Sequence, residues 1–266
     1  MRRLIIVSGA GLSVDSGIRA FRTDTANGKA MWDEYDLEEV CDIHAFRGQF
    51  YWKTHEFYNK RRQELRTVEP NIAHLRIGEW FQRYPEAVLN ITTNVDDLLE
   101  RAGVPKSEVL HVHGYLPEVR IKELPDRKEY ILDVGYTAID PDEFYWAKPN
   151  VVFFGEAAPE YALMHATFDS LTANDMVIVV GCSNQVINFN WELFPALARG
   201  TKMMVVNPTI NYLEQSLYEE RGVTVWRAGA AEVFGNKHFI GQVEAFMEGT
   251  VYAPQEHVWS FSMAGW

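Results

Sequence analysis

Short, almost continuous apolar runs alternate with longer amphipathic stretches along most of the chain. Runs of Val, Ile and Met without regular polar positions indicate parallel strands that are covered on both faces. A regular alternation of such strands with helices is typical of a doubly wound, Rossmann-like α/β sheet. We predict strands at Leu4–Ser8, Ala87–Thr92, Val151–Phe154, Met176–Gly181, Lys202–Asn207 and Val223–Arg227, and helices at Gly48–Arg66, Asn71–Tyr84, Glu160–Ala173, Asn190–Ala198, Ile210–Arg221 and Gly241–Met247.

The stretch Tyr115–Pro149 interrupts this alternation. It is charged, contains Pro125, Pro141 and Pro149, and has only short strand-like pieces such as "KEYILDV". We therefore expect a small module inserted into the larger parallel-sheet domain.

Composition narrows the class of protein. The 266 residues suit one domain with a small satellite, and the net charge of −12 argues against a nucleic-acid partner. Only Cys41 and Cys182 are cysteines, which excludes a disulfide framework and a four-cysteine zinc site. No apolar run approaches a membrane span, and the run after Arg3 is too short for a signal peptide. We expect a cytoplasmic protein with no membrane partner.

A glycine turn directly follows the first predicted strand. Gly9 and Gly11 allow close approach of the backbone to a pyrophosphate, although the third glycine of G-x-G-x-x-G is absent. The run Ser16-Gly17-Ile18 limits any helix to about one turn, so the chain is expected to loop over a ligand. Phe21 and Arg22 then offer a ring and a cation at a nucleotide's edge. A simple tight turn is the alternative.

Polar residues follow other predicted strands, at the sheet edge where ligands bind in open α/β folds. Asn94 and Asp96 come after one strand, where a helix cap is the alternative. His111 and His113, at i and i+2, would point the same way on a strand, and a base is favoured over a metal pair or a plain buried histidine. Further strands end in Phe154-Gly155-Glu156, Gly181-Cys182-Ser183 and Asn207.

Over about residues 1–247, these stretches resemble the sirtuin family in order and spacing. The shared motifs are G-A-G-x-S-x-x-S-G-I, F-R, T-x-N-x-D, H-G, V-x-F-G-E and G-x-S. Arg19-Ala20, where many sirtuins have Pro-Asp, is more similar to the class III members. The resemblance implies a Rossmann-like NAD-binding domain at 1–114 and 150–252, a small inserted module at 115–149 and a C-terminal tail at 253–266.

The resemblance also implies a reaction and its residues. An acyl group would pass from a protein lysine to ADP-ribose with release of nicotinamide, and His113 would be the general base on a ribose hydroxyl. Asn94 and Asp96 would hold the ribose and the nicotinamide amide, while Arg22 would orient the loop. NAD, consumed as a co-substrate, would be bound by Gly9, Ala10, Gly11, Ser13, Ile18, Phe21, Arg22, Thr93, Asn94, Val95, Asp96, Gly181, Cys182, Ser183, Asn207 and Ala230.

Three positions depart from the family pattern. Thr93 replaces the usual Gln, and Cys182 replaces the more usual Thr and is interpreted as a small buried residue. Ile121 stands where the first zinc cysteine is expected, so the module must hold together without metal. An NAD hydrolase and a mono-ADP-ribosyltransferase are alternatives to a deacylase. A nucleotide-sensing module without turnover is disfavoured, because it has no use for His113 as a base.

The acyl-lysine is expected next to Phe154, Gly155 and Glu156, whose extended backbone would pair with a peptide strand.

A further pair, Tyr58 and Arg61, shares a helix face at i and i+3. Class III sirtuins carry a Tyr-x-x-Arg at this place that grips the carboxylate of succinyl- and malonyl-lysine, and guanidinium pairs bidentately with carboxylate. The alternative is a solvated cationic face formed with Lys60, Arg62 and Arg66. If Tyr58 and Arg61 face the acyl pocket, the carboxylate of the acyl group pairs with the Arg61 cation, which is expected to lack a partner otherwise.

Overall fold

A computed structural model describes residues 1–18, 35–184 and 186–253 of the chain. The strands are β1 (Arg3–Ser8), β2 (Val88–Thr92), β3 (Val109–His111), β4 (Gly114–Lys122), β5 (Tyr130–Asp133), β6 (Trp146–Val151), β7 (Asp175–Val180), β8 (Lys202–Val206) and β9 (Thr224–Trp226). The helices are α1 (Leu37–Val40), α2 (Ile43–Arg47), α3 (Tyr51–Arg66), α4 (Ile72–Arg83), α5 (Leu98–Arg101), α6 (Tyr161–Asp169), α7 (Tyr212–Glu219), α8 (Ala230–Phe234) and α9 (Lys237–Glu248).

Six strands form one sheet in the order β3-β2-β1-β7-β8-β9, and each neighbouring pair is parallel. From β1 the sheet grows in one direction to β3 and then in the other from β7 to β9. The predicted doubly wound α/β sheet is therefore confirmed. The order in which successive strands are added reverses between β1 and β7, where Ser8 pairs with Val180. Doubly wound sheets bind ligands in the crevice at this point.

The interiors of the central strands β1 and β7 are apolar because both of their faces are covered. Leu4 and Ile6 pack into one core cluster together with Trp80 of α4 and Phe239 of α9. The alternate residues of β1 pack into a second cluster on the opposite face, which includes Phe168 of α6. A strand that buries both faces cannot show the polar alternation of a half-exposed one.

The predicted strand at Val151–Phe154 is wrong. The strand here is β6, which ends at Val151 and pairs antiparallel with β4, outside the parallel sheet. Pro149 is tolerated in β6 because it is an edge strand of the order β5-β4-β6. Of the remaining apolar residues, Phe153 is buried between elements and Phe154 is 42 % exposed, and neither belongs to the central sheet.

The helix expected at Asn190–Ala198 also differs. A π-helical turn at Phe189–Leu193 leads into a 3₁₀ segment at Phe194–Arg199. Pro195 lacks an N–H group, so a regular α-helix cannot continue through it. Strand β3 ends at His111, so of the two histidines considered on a strand only His111 lies in it, and the bounds of so short a run carry no periodic signal.

The inserted stretch forms a small antiparallel sheet, β5-β4-β6, with an apolar core of its own. Val119, Ile121 and Ala147 are all fully buried in that core. Ile121, where a zinc cysteine was expected, thus contributes packing instead. The module is tied to α3, because Asn59 donates to Ile139 O at 2.8 Å and accepts from Ile139 N at 3.0 Å. Hydrophobic burial therefore stabilises the module itself. The two Asn59 hydrogen bonds attach it to the larger domain.

We expect chelators to leave the melting temperature and the activity unchanged. Among the described residues, no group of His, Cys, Asp and Glu side chains is arranged to hold a metal ion. Thermal melts with and without EDTA, together with elemental analysis of the purified protein, test this. Stoichiometric zinc whose removal lowers the melting temperature would contradict it.

None of the helices in the described parts of the chain combines the length and the apolar character needed to cross a membrane.

Candidate active site

Three glycines let two loops pack backbone against backbone at the β1/β7 crevice. Gly181 has a φ of +62°, and a Cβ there would lie 2.4 Å from the carbonyl carbon of Gly11. A Cβ on Gly9 would lie 2.8 Å from the Cys182 sulfur. The N–H groups of Gly9 and Gly11 donate to Val180 O and to Gly181 O, each at 3.0 Å. These two N–H groups are thus used within the protein, and the glycines serve the close approach of the loops.

The chain after Gly11 does not form the long helix of a nicotinamide dehydrogenase. Two 3₁₀ turns, Ala10–Leu12 and Val14–Ser16, end at Gly17 with a φ of +94°. Ile18 then packs partly buried against the cluster around Phe153. The predicted limit of about one helical turn is confirmed.

The second 3₁₀ turn is also joined to the far side of the crevice. Asp15 accepts a hydrogen bond from Ala231 N at 3.0 Å, at the start of α8, where Ala230 is buried. Phe21 and Arg22, expected to contact the nucleotide, lie outside the described residues.

Ser13, Asn94 and Asp96 form one hydrogen-bonded group at the ends of β1 and β2. The Ser13 hydroxyl donates to Asp96 Oδ2 at 2.8 Å, and Asn94 Nδ2 donates to Ser13 Oγ at 3.1 Å. Asp96 Oδ1 also accepts from Leu98 N at 3.2 Å, so this carboxylate caps α5 as well. Burial raises the pKa of Asp96, against the bonds from Ser13 and Leu98 that favour the carboxylate. The same Asp96 carboxylate thus bonds to Ser13 and to the first residue of α5.

His74 completes this group, and sequence reasoning missed it. Its Nδ1 accepts from Asn71 N at 3.3 Å, so Nε2 carries the proton and faces Ser13 Oγ at 3.4 Å. Burial lowers the pKa of His74 to about 3, which keeps the ring neutral. The available signal was Asn71 three residues before His74, because the two form the capping box at the start of α4.

His113 is held as a neutral imidazole with its lone pair on Nε2. Nδ1 lies 3.1 Å from Thr93 O, which only accepts, so the proton is on Nδ1. Nε2 lies 2.8 Å from the Tyr161 hydroxyl. Burial lowers the pKa of His113, while the bond to Thr93 opposes that shift. The ring is therefore unprotonated at neutral pH, as a general base requires.

His111 has a different environment from His113. Its two nitrogens face Asn94 O at 3.1 Å and Glu100 Oε1 at 2.7 Å, and both of these groups accept. Both ring nitrogens are thus engaged within the protein, so His111 anchors this segment to Asn94 and Glu100.

The remaining predicted cofactor residues line the same strand ends. Cys182 is buried and its pKa is raised to about 12 by burial, which agrees with a small packing residue. Asn207 donates to Cys182 O at 3.2 Å, and the following Ser183 is exposed. Thr93 bonds to Ser8 O through its N–H group at 2.9 Å, and Val95 O accepts from Leu116 N at 2.7 Å. Most of the predicted cofactor residues thus follow the ends of neighbouring strands of the parallel sheet: Gly9, Ala10, Gly11 and Ser13 after β1, Thr93, Asn94 and Asp96 after β2, His113 after β3, Gly181, Cys182 and Ser183 after β7, and Asn207 after β8. Ala230 begins α8, and Ile18 and Val95 pack against the cluster around Phe153.

Phe153–Glu156 form a turn rather than an extended segment. Glu156 N donates to Phe153 O at 3.1 Å, and Gly155 has a φ of +80° as the third residue of a type II turn requires. The backbone of Phe154 is already paired, because its N–H donates to Cys41 O and its C=O accepts from Ile43 N. The expected pairing of a peptide strand with an extended backbone is therefore wrong at Phe154.

An ion pair between a buried lysine and a partly buried glutamate braces this turn. Lys148, only 2 % exposed, lies 2.9 Å from Glu156 Oε2 and donates to Val151 O at 2.6 Å. Glu156 Oε2 also accepts from Phe153 N at 2.8 Å. Glu156, predicted to contact substrate, is thus committed to holding the turn.

The second predicted substrate pair lies beside the turn. The Tyr58 ring stacks on the Phe153 ring at 5.4 Å and 14°, and its hydroxyl donates to Cys41 Sγ at 3.6 Å. Burial raises the pKa of Tyr58, and the nearby Arg61 cation partly opposes this. Arg61 pairs with Glu64 at 2.7 Å, so the expectation that it lacks a partner is wrong.

Arg62 does not belong to a solvated cationic face. It is fully buried, and its guanidinium donates to Asn59 Oδ1 at 2.6 Å and to Thr137 O at 3.3 Å. Burial lowers the pKa of Arg62 to about 10. This arginine joins α3 to the inserted module, which the periodicity of the helix did not show.

Lys148→Met is expected to reduce the free energy of unfolding by about 3 kcal/mol, because it leaves the Glu156 carboxylate and Val151 O without their cation. Urea denaturation measures the change. Lys148→Met/Glu156→Gln should recover part of the loss, and the exposed Lys202→Met is the control, expected to stay within about 0.5 kcal/mol. A loss equal to that of the control would show that the pair does not brace the turn.

Comparisons with known proteins agree with this geometry. Residues 9–188 match the Sir2 family. The chain is 38 % identical over 219 residues to an NAD-dependent protein deacylase of Helicobacter hepaticus, covering 75 % of this chain and 82 % of that protein. It is also 38 % identical over 231 residues to one of Campylobacter jejuni, covering 81 % and 94 %.

Solved structures give the same fold. A mutant Sir2 homologue in complex with ADP-ribose has a TM-score of 0.73 at 24 % identity and covers 94 % of each chain. A Sir2 homologue in complex with NAD has a TM-score of 0.69 at 25 % identity, covering 93 % of this chain and 90 % of that one. The sequence match includes the glycine turn and His113 but ends before Asn207 and Ala230.

Proposed function

This chain belongs to the Sir2 family, and we propose that it transfers acyl groups from protein lysines to ADP-ribose, with NAD as the consumed co-substrate. One observation carries the proposal: a neutral His113 with its lone pair on Nε2 lies at the same strand ends as the Ser13–Asn94–Asp96 group. A base and a set of amide-binding groups at the switch point of a doubly wound sheet suit a nucleotide that reacts at its ribose.

The residues at the crevice fit NAD. Within the described residues, the Asp96 carboxylate accepts hydrogen bonds from Ser13 Oγ and Leu98 N. A carboxylate has about four lone-pair sites, so it can accept further hydrogen bonds. A carboxamide such as that of nicotinamide supplies N–H donors for it. Ser8 Oγ, at the end of β1, is buried and has no hydrogen-bond partner among residues 1–18, 35–184 and 186–253, so it offers a further polar contact. The interlocked glycines bring backbone, rather than side chains, to the floor of the crevice.

NAD supplies a ribose carbon that becomes bonded to the acyl oxygen when nicotinamide leaves. His113 Nε2 then accepts the proton of a ribose hydroxyl while Nδ1 keeps its bond to Thr93 O. Asn94 and Asp96 orient the ribose and the carboxamide, and Ser13 fixes both side chains relative to each other. The Phe153–Glu156 turn, braced by Lys148, positions the acyl-lysine. Arg22 is proposed to orient the loop over the ribose.

We also propose an acyl group that ends in a carboxylate, such as succinyl or malonyl, because Arg61 and Tyr58 lie beside the turn. Within the described part of the chain, the hydrogen-bond acceptor of the Tyr58 hydroxyl is the Cys41 thiol, a weak acceptor that a carboxylate can replace at small cost. Glu64 competes for Arg61, so the acyl carboxylate must share or replace that ion pair.

Nicotinamide release tests the reaction class. The enzyme is incubated with NAD and an acetyl-, succinyl-, malonyl- or unmodified-lysine peptide, and nicotinamide is quantified over time. We expect release only with acylated peptides. Equal release without peptide would instead identify an NAD hydrolase, and ADP-ribose attached to protein would identify a transferase.

A further inference from the structure

Tyr161, the first residue of α6, was not singled out by the sequence, yet it contacts the proposed base directly. Its hydroxyl lies 2.8 Å from His113 Nε2. The two rings are stacked with centroids 5.7 Å apart and an interplanar angle of 28°. The Tyr161 hydroxyl is therefore hydrogen-bonded to His113 Nε2, the atom on which general-base catalysis depends.

The direction of this hydrogen bond follows from the other side of the ring. Nδ1 faces Thr93 O at 3.1 Å, and a carbonyl oxygen only accepts, so Nδ1 carries the proton. In a neutral imidazole the other nitrogen then has the lone pair. The Tyr161 O–H consequently donates to Nε2, and a bond donated to the neutral form stabilises that form over the imidazolium.

We propose that Tyr161 is a positioning residue for His113, which holds the neutral ring with Nε2 facing the crevice until a ribose hydroxyl replaces the phenol. This inference rests on the proposed function, because it assigns Nε2 as the catalytic atom. The replacing hydroxyl would donate to Nε2 from the place that the phenol now takes. The ring of Tyr161 would continue to stack on the imidazole and limit its rotation.

The position of Tyr161 in the chain suits this role. α6 is anchored in the core by Met164 and Phe168, which are both buried. Only four residues separate Tyr161 from Glu156 of the turn proposed to hold the acyl-lysine. The short segment after Glu156 thus connects the Phe153–Glu156 turn, proposed to hold the acyl-lysine, to Tyr161, the hydrogen-bond partner of His113.

Three titratable groups face this pair within the described residues. His165 of α6 contacts the Tyr161 ring edge to face at 5.9 Å. It pairs with Glu192 at 3.0 Å, and the carboxylate of Glu192 helps to raise the pKa of Tyr161. The thiol of Cys182 is uncharged at neutral pH because burial raises its pKa to about 12. Of these, His165 is the group whose ring contacts the Tyr161 ring directly.

The test is an NMR titration of His113 in the enzyme without NAD, with ¹⁵N-labelled histidine and the signal assigned through His113→Gln. Tyr161→Phe keeps the stacked ring but removes the donor, so the neutral imidazole loses its stabilisation. We expect the pKa of His113 to rise by about half a unit to one unit, the size of one uncharged hydrogen bond. The acid limb of the pH profile of kcat/KM should move to higher pH by the same amount.

His165→Asn is the matched control, because it removes the imidazole that contacts the Tyr161 ring and keeps Tyr161 itself. It should leave the pKa of His113 within about 0.2 unit. An unchanged pKa in Tyr161→Phe, at an unchanged melting temperature, overturns the inference whatever the activity. A shifted pKa with an acid limb that stays in place also overturns it, since Tyr161 would then bond to a ring that is not the base. The titration needs no turnover, so a failure of the proposed deacylation is seen separately.

Discussion

His113→Ala is expected to lower kcat for deacylation by at least about 10²-fold, because a positioned general base contributes roughly 10²–10⁴-fold. NAD binding should stay nearly intact, since the Ser13–Asn94–Asp96 group does not include the imidazole. Steady-state kinetics with an acyl-lysine peptide and isothermal titration with NAD measure the two effects. The exposed His238→Ala is the control and should change neither. A variant that keeps more than about a tenth of the wild-type kcat would show that the base is another group.

The second large effect concerns the acyl group. Wild-type enzyme should prefer succinyl- or malonyl-lysine to acetyl-lysine by about tenfold in kcat/KM. A charge-assisted hydrogen bond supports 10- to 100-fold, and competition from Glu64 favours the lower end. Arg61→Met should remove this preference while acetyl removal stays similar or improves, because the apolar stem remains. Peptide panels with matched sequences measure both rates.

Two further variants separate recognition of the carboxylate from stability. Glu64→Gln removes the competing charge and should strengthen the preference for acidic acyl groups. Arg66→Met, at the exposed end of α3, is the control and should leave it unchanged. Arg62 is unsuitable as a control, because it is buried and bonded to Thr137 O. Equal loss of acetyl and succinyl activity in Arg61→Met would show that Arg61 stabilises the fold and does not recognise the acyl carboxylate.

The parallel sheet was predictable because its strands bury both faces and therefore read as continuous apolar runs. The same rule failed at Val151–Phe154, where an apolar run fills the space between β6 and the Cys41–Ile43 segment without joining the sheet. Periodicity reports burial, and it cannot say which neighbour covers the residue. The buried Arg62 shows the converse, since charge suggested exposure where tertiary contacts decided otherwise.

The placement of the candidate site residues was predictable wherever residue type and place in the fold agreed, as for Asn94, Asp96 and His113 at the ends of strands. The partners of these residues were not. His74 and Tyr161 come from distant helices, and only the packing of α4 and α6 against the sheet brings them to Ser13 and His113. Residue order does not encode such contacts, so the supporting residues of a site emerge only from the folded chain.

The destination of the acyl group tests the central claim most directly. Wild-type enzyme is incubated with NAD and a succinyl-lysine peptide, and nicotinamide, bare peptide and acylated ADP-ribose are quantified together by mass spectrometry. We expect the three products in equal amounts at all early times. Nicotinamide and free ADP-ribose formed while the peptide keeps its acyl group would contradict acyl transfer.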